Sequence, residues 1–248
     1  MPTKRELRDK FLELSGLRRI ARQLNNQFER DHFVQAQLKG LAEGSLILDA
    51  GSGSQRYRSF CGHLQYRAQD FGQYTMDERR ALGSGGVGGE TGYVYGALDY
   101  TGNVWEIEEK AETFDAILCT EVLEHIPYPS ETIREFSRLL KAGGTLILTA
   151  PSNCLRHMDP YFFYSGFSDR WFETLLETNG LRIEKLEPVG DYYSWLAVEM
   201  VRTAKAHSLL AKLALFPAFL YFFTKKKTKV STDTLCMGYH VIARKAAA

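Results

Sequence analysis

Cysteine is scarce in this 248-residue chain. There are four, Cys61, Cys119, Cys154 and Cys236, far apart and without a CxxC pair. That spacing excludes a zinc knuckle and argues against a disulfide framework in a chain of this length. A surplus of either charge is also missing. With 31 Lys+Arg against 30 Asp+Glu the formal net charge is +1, so there is no global electrostatic footprint for nucleic acid. The first residues, MPTKRELRDKFLELSG, carry charges every few positions and no apolar h-region. They do not read as a secretory signal, and a reducing, cytoplasmic setting is expected. An apolar run at 208–223, SLLAKLALFPAFLYFF, contains Lys212 and Pro217. At about 16 residues it is too short to span a bilayer comfortably.

Apolar and aromatic side chains are plentiful. Hydrophobic residues make up 44% of the chain, with 15 Phe, 13 Tyr and 3 Trp, enough for a sizeable core and unlike a disordered or fibrous protein. Residues 1–43 read as a helical segment: Phe11, Leu14, Leu17, Ile20 and Leu24 recur at three- to four-residue spacing opposite a basic face. Such a segment either packs on the main domain or covers its ligand as a lid.

From Ser45 to about Ala150 the pattern changes to short apolar runs alternating with helical stretches. Leu46-Ile47-Leu48, Phe114 to Cys119 and Thr145 to Ala150 lack alternation, as strands buried on both faces do. Between the last two, the spacing predicts a helix with Ser130 as N-cap and Glu131 in its first turn. Ile133, Phe136, Leu139 and Leu140 form its stripe, Lys141 suits its negative end, and Gly143-Gly144 stops it. Strand, helix, strand of this length is a βαβ unit, the building block of a right-handed parallel α/β sheet. Residues 83–92 carry six glycines in ten positions. No Lys-Ser/Thr pair follows, so they read as a surface loop and not as a phosphate cradle.

The first chemical constellation is Asp49-Ala50-Gly51-Ser52-Gly53, directly after a strand. Its glycines permit a tight turn and close approach of backbone to a ligand at the carboxyl end of that strand. Asp70 follows nineteen residues after Gly51. A carboxylate there can accept hydrogen bonds from both hydroxyls of a ribose. Where a dinucleotide fingerprint needs a third glycine the chain has Arg56. An acid opening the turn suits a cationic amino group better than a phosphate, which favours a nucleoside bearing an amino acid over NAD.

Three stretches resemble class I S-adenosylmethionine-dependent methyltransferases. Leu46 to Gly53 is similar to that family's first motif, Phe114 to Pro127 to its fourth-strand motif, and Arg138 to Leu146 to the turn before its fifth strand, with Ala142 in place of the usual proline. The resemblance covers roughly residues 44–151. It implies a Rossmann-like α/β fold with a seven-stranded, mostly parallel sheet, helices on both faces, and S-adenosyl-L-methionine as cofactor. It implies a core of residues 44–191 and 235–248, with 192–234 as a helical insertion. Asp49, Gly51 and Gly53 would flank the methionine portion. Asp70 would hold the ribose with Phe71 beside the adenine, Asn103 and Val104 would meet the adenine edge, and Thr120 and Glu121 would line the pocket after the fourth strand.

Because the sulfonium is already activated, the protein must mainly place a nucleophile in line with the methyl group. A hydroxyl nucleophile is helped by a general base, and His125 and His157 are the candidate catalytic residues. Each also has a structural reading, as a side chain held by a hydrogen bond. Glu121, Glu124 and His125 form an E-x-x-E-H run that, with His157, some RNA 2′-O-methyltransferases use to hold a metal. The same run is widespread in metal-free small-molecule enzymes, and the expectation is no metal. The aromatic cluster from Tyr161 to Phe172 reads either as the start of a core helix capped by Ser168 or as a wall for a planar, apolar substrate.

Leu181 to Pro188 and Leu235 to Ala243 read as strands. Between them, the apolar run followed by Lys225-Lys226-Lys227-Thr228-Lys229 reads as a buried helical cap or as an interfacial anchor on anionic lipid through 208–229. The expected partner is a small-molecule acceptor (a hydroxylated metabolite, sugar or lipid-like compound), with nucleic acid disfavoured. The rival readings are an RNA methyltransferase with a metal and a non-catalytic, membrane-associated S-adenosylmethionine-binding protein.

Overall fold

A computed structural model describes residues 26–73, 95–206 and 208–247. The helical pattern before residue 26 and the glycine-rich stretch at 83–92 lie outside the described residues. The described chain forms two compact units, residues 33–187 with 238–247, and residues 26–32 with 188–206 and 208–237.

The larger unit is built on a sheet whose strands are β1 (Leu46–Ala50), β2 (Gln65–Asp70), β3 (Tyr100–Thr101), β4 (Phe114–Thr120), β5 (Leu140–Pro151), β6 (Leu181–Val189) and β7 (Gly238–Lys245). Their spatial order is β3-β2-β1-β4-β5-β7-β6. Strands β1 to β5 pair in parallel, while β7 runs antiparallel to β5 over Thr145↔Arg244 to Pro151↔Gly238. This is the seven-stranded, mostly parallel arrangement expected. The order reverses between β1 and β4, which opens a crevice beyond their carboxyl ends.

Strand pleating explains why the apolar runs do not alternate. Leu48, Ile117, Leu146, Leu148 and Val241 face one side, where they pack with Ile133 and Phe136 of helix α2 (Pro129–Leu139) and Phe172 and Leu176 of α3 (Asp169–Thr178). Ile47, Ala116, Leu118, Ile147 and Ile242 face the other, against Phe33, Val34 and Leu38 of α1 (Asn26–Lys39) and against Tyr57 and Cys61. Both faces are covered, so strand residues of both parities are apolar. Each large side chain buried this way contributes about 1.5–3 kcal/mol.

Helix α2 differs from the expected boundaries. Tyr128 is its N-cap, without a side-chain bond, and Pro129 occupies the first turn, where its fixed φ is an asset. Ser130 therefore lies inside the helix. Leu140 is already extended, so the helix ends before the glycines. Gly143, at φ 75°, sits in the irregular opening of β5, where the register steps from Phe114↔Leu140 to Ala116↔Thr145. Lys141 uses its charge across the sheet: its Nζ lies 2.7 Å from Asp115 Oδ1, while Asp115 Oδ2 accepts the Leu46 N–H at 2.8 Å. Ser168 does cap α3, its hydroxyl accepting the Trp171 N–H at 3.2 Å.

The smaller unit carries α4 (Tyr192–Ala206), α5 (Leu209–Thr224) and α6 (Lys229–Thr234). Met237 donates its N–H to the Val189 carbonyl at 2.8 Å, and Ser231 Oγ donates to the buried Asp191 carboxylate at 2.7 Å. No helix among the described residues is long and apolar enough to cross a membrane.

Candidate active site

The turn after β1 requires glycine at its first position. Gly51 has φ 70°, and a Cβ there would lie 2.4 Å from Val122 Cγ2. The turn is then fastened to β2 by two consecutive side chains. Gln69, 1% exposed, accepts the Gly51 N–H through Oε1 at 3.1 Å and donates through Nε2 to the Gly102 carbonyl at 2.7 Å. One carboxamide thus ties together the loops that follow β1 and β3. Asp70 accepts the Gly53 N–H on Oδ2 at 2.8 Å and the Gly72 N–H on Oδ1 at 3.2 Å. Burial raises its pKa, and these backbone donors oppose the rise. The Phe71 N–H and the Tyr95 side chain add to the bonds that hold the carboxylate in its charged form.

Asp49 is placed differently. The pleat of β1 turns it to the same side as Ile47, where the Tyr66 hydroxyl donates to its Oδ2 at 2.6 Å. Burial pushes its carboxyl up to about 7, the Tyr66 bond holding the rise in check and the Asp70 charge adding to it. Its thiol neighbour Cys61 is pushed up to about 12, mainly by burial and also by the Asp49 charge.

Beyond β4 the backbone tightens. Glu121 adopts φ 53°, a left-handed conformation that costs a side-chain-bearing residue about 1–3 kcal/mol. It is held there by its N–H to the Thr149 carbonyl and by Thr149 Oγ1 to its Oε1, both at 3.0 Å. A 3-10 turn, Leu123–His125, follows. His125 Nδ1 is 2.7 Å from the Tyr161 carbonyl, and because a carbonyl only accepts, Nδ1 carries the proton and Nε2 keeps its lone pair. Burial pulls the His125 pKa down to about 4. The Glu124 carboxylate 3.6 Å from Nε2 therefore faces a neutral ring, so this contact is not an ion pair near neutral pH. His157 meets His125 edge-on at 4.7 Å between ring centres, with its own Nδ1 2.8 Å from the Leu155 carbonyl.

The segment after β5 is hung on the same 3-10 turn. The Glu124 carbonyl accepts the N–H groups of Phe163 and Tyr164 at 2.9 and 3.2 Å. The Tyr161 ring meets Phe71 edge-to-face at 5.2 Å. On the other side, the 102–109 loop is fixed to α2: Ile107 donates its N–H to Glu135 Oε1 at 2.8 Å, and Arg138 Nη1 donates to the Glu109 carbonyl at 2.8 Å.

These elements enclose a cleft of about 270 Å³. Of the residues predicted from sequence, Gly51, Asp70, Phe71, Asn103, Val104, Thr120, Glu121 and His125 line it. Asn103 is held by its Nδ2 at 2.5 Å from Glu106 Oε1. Asp49, Gly53 and His157 are not among the lining residues: Asp49 is turned to Tyr66, Gly53 contributes its N–H to Asp70, and His157 stands behind His125. Gln69 and Trp105 also line the cleft and were missed. No sequence signal marked Gln69, which ends the polar run Gln65-Tyr66-Arg67-Ala68-Gln69. A deep carboxylate, a glycine turn and an aromatic pair at the switch point of a parallel sheet suit a nucleoside with an amino-acid tail.

A methyltransferase domain family matches residues 17–186. The chain belongs to that family. It has the class I methyltransferase fold. A ubiquinone biosynthesis O-methyltransferase of Xanthomonas oryzae is 51% identical over 41 residues, which are 16% of this chain and 17% of that one. The human mitochondrial ubiquinone biosynthesis O-methyltransferase is 25% identical over a match taking in 52% of this chain and 41% of that one. The methyltransferase therefore spans less than half the length of these curated relatives. A geranyl diphosphate methyltransferase solved in complex with S-adenosylmethionine shares the fold at a TM-score of 0.54, with 14% identity, 88% of this chain and 85% of that one.

The cleft fits the cofactor by its donors and acceptors. The Asp70 carboxylate is prepared by two backbone N–H groups for vicinal hydroxyls, and Phe71 and Val104 supply apolar surface for a base. Beside it, Glu124, His125 and His157 present ligand atoms all within 4.8 Å of one another.

Proposed function

We propose that this methyltransferase acts on the hydroxyl of a small, apolar, ring-bearing molecule. The observation that carries the reading is His125, a neutral imidazole with its Nε2 lone pair unprotonated, in a cleft whose wall includes Trp105, Met158, Tyr161 and Phe163. That wall suits a planar or lipid-like acceptor better than a sugar–phosphate chain, and the balanced charge of the protein supports a small molecule over RNA. The relatives' description as O-methyltransferases supports oxygen as the acceptor atom. None of the four cysteines is joined in a disulfide, which supports a reducing, cytoplasmic setting.

When bound, S-adenosylmethionine supplies a methyl group on a positive sulfur, an electrophile that needs no further activation. The aromatic wall orients the acceptor and excludes water. An acceptor oxygen that gains the methyl group while the carbon–sulfur bond breaks would be strongly acidic, so His125 Nε2 would take its proton despite a pKa near 4. The Nδ1–H bond to the Tyr161 carbonyl then steadies the charged ring.

The test is labelled-methyl transfer into fractionated extract and into a panel of substituted phenols, catechols and amines. Label on a phenolic or alcoholic oxygen is the expected result, and label confined to nitrogen or carbon overturns the reading. A second reading, metal-assisted transfer, is favoured by the Glu124–His125–His157 cluster. It requires activity that is lost on chelation and restored by Mg²⁺ or Mn²⁺.

A further inference from the structure

Helix α5 presents to solvent the face that a soluble helix hides. Leu209, Leu210, Leu213, Phe216, Leu220 and Tyr221 are between 42% and 78% exposed, and their spacing places them along one side. None of the helix's residues is fully buried. Its other side, half-buried, packs on α4. Ser208 caps its start, the hydroxyl accepting the Ala211 N–H at 3.4 Å, and Lys225 ends it in extended conformation. An exposed apolar strip of this kind in a folded unit marks a docking surface.

Charge decides what docks there. Between residues 200 and 232 the sequence has seven basic residues, Arg202, Lys205, Lys212, Lys225, Lys226, Lys227 and Lys229, and no acidic one, while the flanking Glu199 and Asp233 pair with Arg202 and Lys229. Four of them follow the apolar helix at once, and Lys225 Nζ lies 4.2 Å from the centre of the Tyr221 ring, a pairing of ring and ammonium suited to a headgroup layer. A second copy of this chain is a poor occupant, because an isologous interface through α5 faces the segment with itself, and between residues 200 and 232 that segment offers no acid to meet its lysines. A bilayer with anionic headgroups satisfies both features. Spanning is excluded by length: 16 residues rise about 24 Å, against about 30 Å of hydrocarbon.

We propose that α5 and the following lysines dock this methyltransferase on the surface of an anionic bilayer, the helix lying in the plane of the headgroup boundary. This inference does not depend on the acceptor. The experiment is flotation of the full chain with phosphatidylglycerol–phosphatidylcholine vesicles against phosphatidylcholine alone. Flotation on the anionic vesicles only is expected. Lys225→Gln/Lys226→Gln/Lys227→Gln should weaken it roughly 100-fold, at about fivefold per lysine. Leu213→Asp/Phe216→Asp should abolish flotation, with S-adenosylmethionine binding retained as proof of folding. Failure to float on anionic vesicles at low salt overturns the proposal, and so does equal flotation on neutral vesicles. A concentration-dependent dimer that Phe216→Asp dissociates, in a protein that does not float, overturns it in favour of a second copy.

Discussion

Replacing Asp49 by Asn tests the electrostatics of the β1 turn directly. The side chain is 2% exposed and its carboxyl is pushed from 3.8 up to about 7, mainly by burial. Between those two values the unfolded chain has lost the proton while the folded chain keeps it. The folded state therefore binds more protons, and stability falls as pH rises through this window. Below about pH 4 the term vanishes, and above about pH 7 it is constant. Over pH 5 to 8 the loss comes to about 3 kcal/mol, at about 1.4 kcal/mol per pH unit up to the folded pKa. For a chain of this size that is roughly 6–12 °C in melting temperature. Asp49→Asn removes the ionisation and keeps an oxygen to accept the Tyr66 hydroxyl. Thermal melts of both proteins across pH 5 to 8 should lie closest at pH 5, where the difference is still about 1–2 kcal/mol, and separate toward the alkaline end, with the variant more stable. All other titrating groups are common to the pair, so the difference reports Asp49 together with its coupling to Asp70. Parallel curves, or a wild type that gains on the variant as pH rises, refute the reasoning.

Other substitutions probe the cleft. Asp70→Asn puts an amide where two backbone N–H groups expect acceptors, and calorimetry should show S-adenosylmethionine affinity falling by roughly 10- to 100-fold. The same titration should show a smaller loss for Asp49→Asn, whose side chain does not line the cleft; the reverse order would restore Asp49 to the ligand. Gln69→Leu strands the Gly51 N–H and the Gly102 carbonyl, and the KM for the cofactor should rise by about tenfold, whereas an unchanged KM would show that the two loops hold without the clamp. His125→Gln should lower kcat by about 100-fold or more at unchanged cofactor affinity, and a normal kcat would end its role as proton acceptor.

The sequence made the central sheet legible because buried parallel strands leave unbroken apolar runs, as Phe114 to Cys119 and Thr145 to Ala150 do. Boundaries were less legible. Pro129 starts α2 through backbone geometry, so Ser130 misled as a cap, and the glycines after α2 open a strand and do not end a helix. The expected final strand from Leu235 begins three residues later at Gly238, because Met237 is held by Val189. Of the residues lining the cleft, Gly51 and Asp70 were readable from their spacing, and Thr120 and Glu121 only through the family resemblance. The side-chain direction of Asp49 was not, since it follows from the pleat of β1 and from Tyr66, seventeen positions away. Gln69 and Trp105 reach the cleft through contacts between loops remote in sequence, which no local pattern encodes.

The excursion between β6 and β7 leaves and re-enters the chain at adjacent points, where Met237 meets Val189, and the two strands are neighbours in the sheet. It is a hairpin whose turn has been replaced by a cassette. Exchanging such a cassette for a short Asn-Gly turn leaves the strand register untouched, because both cuts fall at one spot. Descent could therefore graft, trim or discard the 190–237 module at a single spot on the edge of the sheet, with the pairing of the strands on either side of it kept.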